Sequence, residues 1–239
     1  MSIQHRLVEY NDGDTLLEGY LAYDDKYRTP RPGIIIAHTW WGRSPLECRR
    51  ADQLAELGYV GFALDMYGKG LLGTSPEENS RLMQPLMDNR AALQQRMAKA
   101  LEVARVQPEV DADKMAVMGY CLGGLCALDL ARTGADLKGA ISFHGLFDAP
   151  DNIATPDFKA SILCLDGHND PMTTNDKVVA LQKELTDAGA DWQLHTYGNT
   201  LHGFTNPDAN MPEMGIKYNA VADRRSWQAL ENFLAEVFS

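Results

Sequence analysis

The segment Gly119-Tyr120-Cys121-Leu122-Gly123-Gly124 constrains this chain more than any other. The apolar run Met115-Ala-Val-Met118 leads into it, and the helix-compatible stretch Leu125-Cys-Ala-Leu-Asp-Leu-Ala-Arg132 leaves it. A strand that turns abruptly into a helix, with G-x-Cys-x-G at the corner, is the pattern of a nucleophile elbow. The tight turn holds Cys121 in a strained backbone conformation. Gly119 and Gly123 flank it because a Cβ at either position would collide with the opposing backbone. The competing reading is a glycine-rich turn around a buried structural cysteine, and the rest of the chain decides between them.

The order of elements around that corner predicts an α/β fold. Residues 3–10 and 15–22 read as two strands around the Asn11-Asp-Gly13 turn, an opening hairpin. Ile34-Ile-Ile-Ala37 is a continuous apolar run, as expected of a strand buried on both faces. A helix over 45–57 is closed by Gly58, and 59–64 is the next buried strand. Residues 68–76 read as loop, with Pro76-Glu-Glu78 marking a helix start. A long amphipathic helix follows over 88–106. Beyond the elbow, 139–143, 162–165 and 193–197 read as strands, and 175–188 and 219–237 as helices. Alternating strands and helices imply a mostly parallel central sheet with helices on both faces. No repeat or low-complexity segment divides the chain, so residues 1–239 are expected to form a single domain without a separate cap.

Catalytic residues in such sheets lie at the carboxyl ends of strands. Cys121 follows the strand at 115–118, Asp170 follows 162–165 and His202 follows 193–197. The chain order nucleophile, acid, histidine is that of the α/β-hydrolase fold. The three residue types also need one another. A thiol with a pKa of about 8.5 is only slightly ionised near neutrality, and a neighbouring histidine raises its thiolate fraction. An aspartate fixes the histidine tautomer and stabilises the imidazolium. Asp170 sits in the turn Asp166-Gly-His-Asn-Asp-Pro171, and His202 in Leu201-His-Gly-Phe204, where Gly203 frees the loop to aim the ring. Asp166, His168 and Asp170 also stand close in sequence, but three residues on one short loop with no second cluster are weak evidence for a metal. No metal or organic cofactor is expected.

Bulk properties exclude several partner classes. The net charge is -11 among 239 residues, which disfavours nucleic acid and anionic membrane surfaces. Residues 1–10 have no apolar signal core, and no later stretch approaches the ~18 apolar residues of a membrane span. Cys48, Cys121, Cys126 and Cys164 have no metal-ligand spacing, and a chain of this size needs no disulfides. A cytoplasmic protein with free thiols is expected.

The motifs Gly119-Tyr-Cys-Leu-Gly-Gly124, Asp166-Gly-His-Asn-Asp-Pro171, Leu201-His-Gly-Phe204, His38-Thr-Trp-Trp-Gly42 and Asp65-Met-Tyr67 resemble those of the dienelactone hydrolase family. The resemblance runs from about residue 13 to the end. It implies a Cys121–His202–Asp170 triad and an oxyanion hole from the backbone N–H groups of Leu122 and Trp40. Such donors aim at developing charge. Many members carry a glutamate directly after the position of His38, where this chain has Thr39. Thr39 cannot act as a base at neutral pH, so His202 alone is expected to activate Cys121. Two arginines bind the substrate carboxylate in the dienelactone enzymes. The matching positions here are Lys69 and Asn206, where the bidentate fork is missing, so dienelactone itself is disfavoured as a substrate. Trp40, Trp41 and Phe204 are candidates for lining an acyl pocket, although aromatic residues beside a hydrolase site are as often core. His144, at the end of strand 139–143, is read as packing beside the site.

The expected chemistry is hydrolysis of a small carboxylic ester or lactone through a thioester. The same triad acting on activated phosphotriesters is an alternative, because no carboxylate stands at position 39. A non-catalytic ligand-binding protein and a redox-sensing thiol protein are further alternatives.

Overall fold

The computed structural model describes residues 2–239; Met1, the first residue of the N-terminal segment discussed above, lies outside them. The chain divides into two compact units, Met1–Met118 and Gly119–Ser239.

The first unit opens with strands β1 (Ile3–Asp12) and β2 (Thr15–Asp24). They pair antiparallel from Ile3↔Asp24 to Asp12↔Thr15. The hairpin is two residues longer at its tip than the sequence suggests. Its turn is Gly13-Asp14, and Gly13 takes a left-handed φ of 57° that a two-residue hairpin turn requires. β3 (Arg31–Ala37) follows. Ile34, Ile35, Ile36 and Ala37 are all fully buried, as a continuous apolar run demands.

Helix α1 (Pro45–Glu56) starts on a capping box. The Ser44 hydroxyl accepts from Leu46 N–H at 3.1 Å, and Glu47 accepts from the Ser44 N–H at 2.8 Å. β4 (Val60–Ala63) pairs parallel with β3 and antiparallel with β2, giving the order β1-β2-β4-β3.

Two helices then stand where the periodicity predicts a bare helix start and one long helix. α2 (Pro76–Asp88) is capped by Ser75, and α3 (Arg90–Arg105) begins after Asn89. Asn89 breaks the two because its φ of -129° and ψ of 79° are non-helical and its side chain accepts from Ala92 N–H at 3.1 Å. α3 turns Leu93, Met97, Ala100 and Ala104 inward, the spacing of an amphipathic helix. β5 (Val110–Tyr120) closes the unit and carries the chain into the second one.

The second unit begins at the corner where β5 ends and α4 (Leu122–Arg132) starts. Every residue of α4 is buried, and Arg132 is neutralised inside by Asp129 at 3.0 Å and Glu184 at 2.8 Å. A charge this deeply buried needs such partners. β6 (Gly139–Phe143), β7 (Ser161–Gly167) and β8 (Trp192–Tyr197) pair in parallel in that order. Helix α5 (Asn175–Asp187) connects β7 to β8. After β8 the chain forms a small antiparallel ribbon, β9 (Asn210–Met211) and β10 (Ile216–Lys217), joined through a 3-10 turn at Pro212–Met214. Helix α6 (Ala220–Val237) ends the chain.

The fold is thus α/β with mostly parallel strands, as the sequence predicts. Among the described residues no helix is long and apolar enough to cross a membrane.

Candidate active site

Cys121 sits between β5 and α4 with φ 56° and ψ -116°. This is a region that a non-glycine residue occupies only under strain, at a cost of about 1–3 kcal/mol. Its neighbours hold it there. The Cys121 N–H donates to Phe143 O at 3.0 Å, and its carbonyl accepts from Gly124 N–H at 3.0 Å and Leu125 N–H at 3.3 Å. A Cβ on Gly119 would lie 2.0 Å from the Gly123 carbonyl oxygen, so the turn closes only with glycine at that position. Cys121 is partly exposed, whereas Cys126 and Cys164 are buried. Leu122 is the first residue of α4. An N–H at that position has no acceptor within its own helix and lies at the positive end of the helix dipole.

His202 and Asp170 meet across two loops of the second unit. His202 Nδ1 lies 2.6 Å from Asp170 Oδ2. Both residues are almost fully buried. The second carboxylate oxygen of Asp170 accepts from Met172 N–H at 2.8 Å, and the Asp170 N–H donates to Gly167 O at 2.9 Å. The acid is therefore fixed at both ends. His202 is fixed by the β9–β10 ribbon: its N–H donates to Gly215 O at 2.9 Å and its carbonyl accepts from Lys217 N–H at 3.0 Å. Nothing in the local sequence pattern announced this brace, because two-residue strands carry no periodicity.

Cys121 stands beside the His202 ring. Burial works against the charged imidazole, yet the charge of Cys121, the hydrogen bond to Asp170 and the pull of both partners outweigh it, lifting His202 to about 10. His202 Nε2 is buried and makes no well-aligned hydrogen bond. Asp166 lies behind this group. Burial pushes its carboxyl up to about 6; the 2.7 Å hydrogen bond from Thr173 opposes that rise and the Asp170 charge adds to it. His168 is exposed, and among the described residues no group of three or more acidic, histidine or cysteine side chains is arranged to hold a metal.

Two other candidates in this unit take different positions from those expected. Phe204 is fully buried, with its ring against Tyr197 (centroids 5.6 Å apart) and His144 (5.1 Å apart). It backs the His202 loop instead of facing an open pocket. Asn206 spends its side-chain oxygen on Asp208 N–H at 3.0 Å, an Asx turn.

The remaining candidates belong to the first unit. Thr39, Trp40 and Trp41 form the turn after β3 and are partly exposed. The Thr39 hydroxyl accepts from Trp41 N–H at 3.3 Å, and the two indoles meet edge to face at 6.0 Å.

This turn has a scaffold. His38 is buried and neutral in its bonding: Nε2 accepts from Met66 N–H at 3.1 Å while Nδ1 donates to Thr39 O at 2.5 Å. Burial lowers its pKa. Asp65 accepts from Tyr67 N–H at 2.9 Å and Gly68 N–H at 3.0 Å, and the Tyr67 hydroxyl donates to Trp40 O at 3.0 Å. His38 and the Asp65-Met-Tyr67 motif therefore shape the backbone that carries Trp40. Lys69 is ion-paired with Glu9 and stands 4.0 Å from Glu18.

Comparison with known proteins identifies the family. The family model for the dienelactone hydrolase family matches residues 17–238. A putative carboxymethylenebutenolidase of Aquifex aeolicus is 28% identical over 209 residues, covering 84% of this chain and 87% of that protein. The solved structure of a dienelactone hydrolase-like promiscuous phosphotriesterase from metagenomic libraries is 34% identical, with a TM-score of 0.94 over 99% of both chains. The dienelactone hydrolase of Anabaena variabilis, at 20% identity, shares the fold with a TM-score of 0.70 over 98% of each chain. On the match across residues 17–238, the chain belongs to the dienelactone hydrolase family.

Proposed function

We propose that this protein hydrolyses small carboxylic esters or lactones through a Cys121–His202–Asp170 triad. The observation that carries the reading is the buried 2.6 Å contact between His202 and Asp170, with Cys121 on the strained corner beside the same ring. The raised pKa of His202 favours its imidazolium form beside Cys121.

In the first half-reaction the Cys121 sulfur bonds to the acyl carbon, and the carbonyl electrons move onto oxygen. As the carbonyl re-forms, the C–O bond to the leaving alkoxide breaks. His202 gives its proton to that alkoxide. A water molecule, deprotonated by His202, then attacks the thioester carbon. The C–S bond breaks, the acid leaves and the thiolate is restored. Asp170 holds the imidazole in one tautomer throughout and offsets its positive charge.

The Leu122 N–H is the oxyanion donor of this reading, supported by its place at the start of α4. The N–H of Trp40 is the second donor we propose. Thr39 and Trp41 are assigned to substrate contact, and Lys69 to a substrate anion once its ammonium leaves Glu9. The family match across both units supports a single catalytic domain. The absence of any disulfide among the four cysteines fits a reducing, cytoplasmic compartment.

A second substrate class has its own support. The 34% identical phosphotriesterase spans the whole chain, and Thr39 places no anion at the position where many family members have glutamate. The same thiolate would attack phosphorus of an activated phosphotriester and expel its aryloxide.

Release of p-nitrophenol from a short-chain p-nitrophenyl ester tests the main reading. Wild-type turnover lost both in Cys121→Ala and after iodoacetamide treatment supports it; turnover that survives Cys121→Ala removes it. An aryl phosphotriester in the same assay tests the second class against the Cys121→Ala background.

A further inference from the structure

His144 occupies a costly position for which packing alone gives no reason. It follows β6 with a φ of 38°, one of three non-glycine residues with positive φ among those described, another being Cys121. A bulky side chain is strained there. Its N–H donates to Leu165 O at 2.8 Å, which pins the backbone.

The ring is buried and turned edge to face against His202, with centroids 5.0 Å apart and planes at 70°. It meets Phe204 in the same manner at 5.1 Å and 75°. Its Nε2 is 2.9 Å from the hydroxyl of Thr205, itself fully buried. His202, Phe204 and Thr205 all lie on the loop after β8. One side chain at the end of β6 thus touches the catalytic imidazole and also hydrogen-bonds the loop that carries it.

Resting on the thiolate reading above, we infer that His144 is a positioning residue: through Thr205 and the face of the ring it sets the orientation of His202 between Asp170 and Cys121. Asp170 holds His202 through a single hydrogen bond to Nδ1, and one hydrogen bond tolerates a range of ring tilts. The T-shaped contact with His144 narrows that range. An aliphatic side chain would fill the space without the directional bond to Thr205. A histidine supplies a flat edge and a polar anchor at once, which explains why a strained residue is kept here. Small misplacements of a reacting group are expensive, because near-attack geometry is lost.

The test combines four variants and two readouts. His144→Phe keeps an aromatic edge and loses the anchor. Thr205→Val loses the partner and keeps its shape. Thr205→Ser keeps the hydroxyl, and the His144→Phe/Thr205→Val double variant removes both ends. The inference predicts that kcat for a p-nitrophenyl ester falls about tenfold or more in both single losses, with KM little changed. The double variant should be no slower than either single one, and Thr205→Ser should stay near wild type. The pH profile of Cys121 alkylation by iodoacetamide, followed by peptide mass spectrometry, should shift in the same variants. That profile reads the His202–Cys121 pair whether or not an ester turns over. Wild-type kcat and an unmoved alkylation profile in His144→Phe, with only a lowered Tm, would overturn the inference and leave the triad standing. Turnover persisting in Cys121→Ala would instead overturn the triad, while a shifted alkylation profile would still uphold the role of His144 in placing His202.

Discussion

His202 Nδ1 and Asp170 Oδ2 meet at 2.6 Å, and both residues are almost fully buried. The contact joins the loop after β7 to the loop after β8, strands that already lie side by side in parallel register. Parallel pairing brings both carboxyl ends to the same edge, so residues 32 apart in sequence become partners.

Charge at Asp170 is central to that contact. Asp170→Asn preserves its size and leaves an amide that cannot stabilise an imidazolium. Ester turnover should fall by roughly three to four powers of ten while the circular-dichroism spectrum stays native. A loss of less than about tenfold would mean that the carboxylate only packs there.

The corner around Cys121 has no room for growth. Gly119→Ala puts a methyl group 2.0 Å from a backbone oxygen of Gly123, and no flexible side chain can yield. We expect a loss of about 3 kcal/mol or more, read as a lower denaturant midpoint or as insoluble protein. Unchanged stability would contradict the turn geometry.

Asp166 makes stability depend on pH. Burial raises its folded-state pKa from 3.8 to about 6, so the folded protein holds this proton more tightly than the unfolded chain. Its contribution is fully present below the unfolded value and is lost as pH rises through about 6. Asp166→Asn keeps an oxygen for the Thr173 hydroxyl and removes the titration. Its Tm should match that of wild type in acid and exceed it above neutrality. Equal Tm values across the whole range would show that Asp166 ionises freely.

The four thiols should differ in reactivity. Cys121 is partly exposed beside His202. Burial pushes the Cys48 thiol up, against the pull of the Arg43 guanidinium, and burial drives Cys164 up to about 12. Limited iodoacetamide treatment of the native protein should label Cys121 first, Cys48 more slowly, and Cys126 and Cys164 only after unfolding. Early labelling of Cys164 would contradict the packing of β7.

Much of this arrangement was legible in the sequence because it follows from local rules. The buried runs at Ile34–Ala37, 139–143 and 162–165 announced strands. Gly119 and Gly123 announced the corner, and strand ends announced where Cys121, Asp170 and His202 would fall. Features that depend on distant partners were not legible. The β9–β10 ribbon is too short to show a period, yet it holds His202 through Gly215 and Lys217. Asn89 falls within the helix expected over 88–106 but caps α3 instead, because apolar spacing marks a helix face and not its first residue. Lys69 reads as a free cation until Glu9, on the opposing hairpin, is seen paired with it. Phe204 reads equally as a pocket wall or as core, and the packing of Tyr197 and His144 against it favours core.

The most direct test of the central claim is to trap the acyl-enzyme. The protein is mixed with p-nitrophenyl acetate, quenched in acid within the first turnover, and digested for peptide mass spectrometry. The account predicts one acetyl group on Cys121, released by neutral hydroxylamine as a thioester is, and absent from Cys121→Ala. Acetyl found on a serine or lysine, or no adduct while p-nitrophenol is released in a burst, would contradict it.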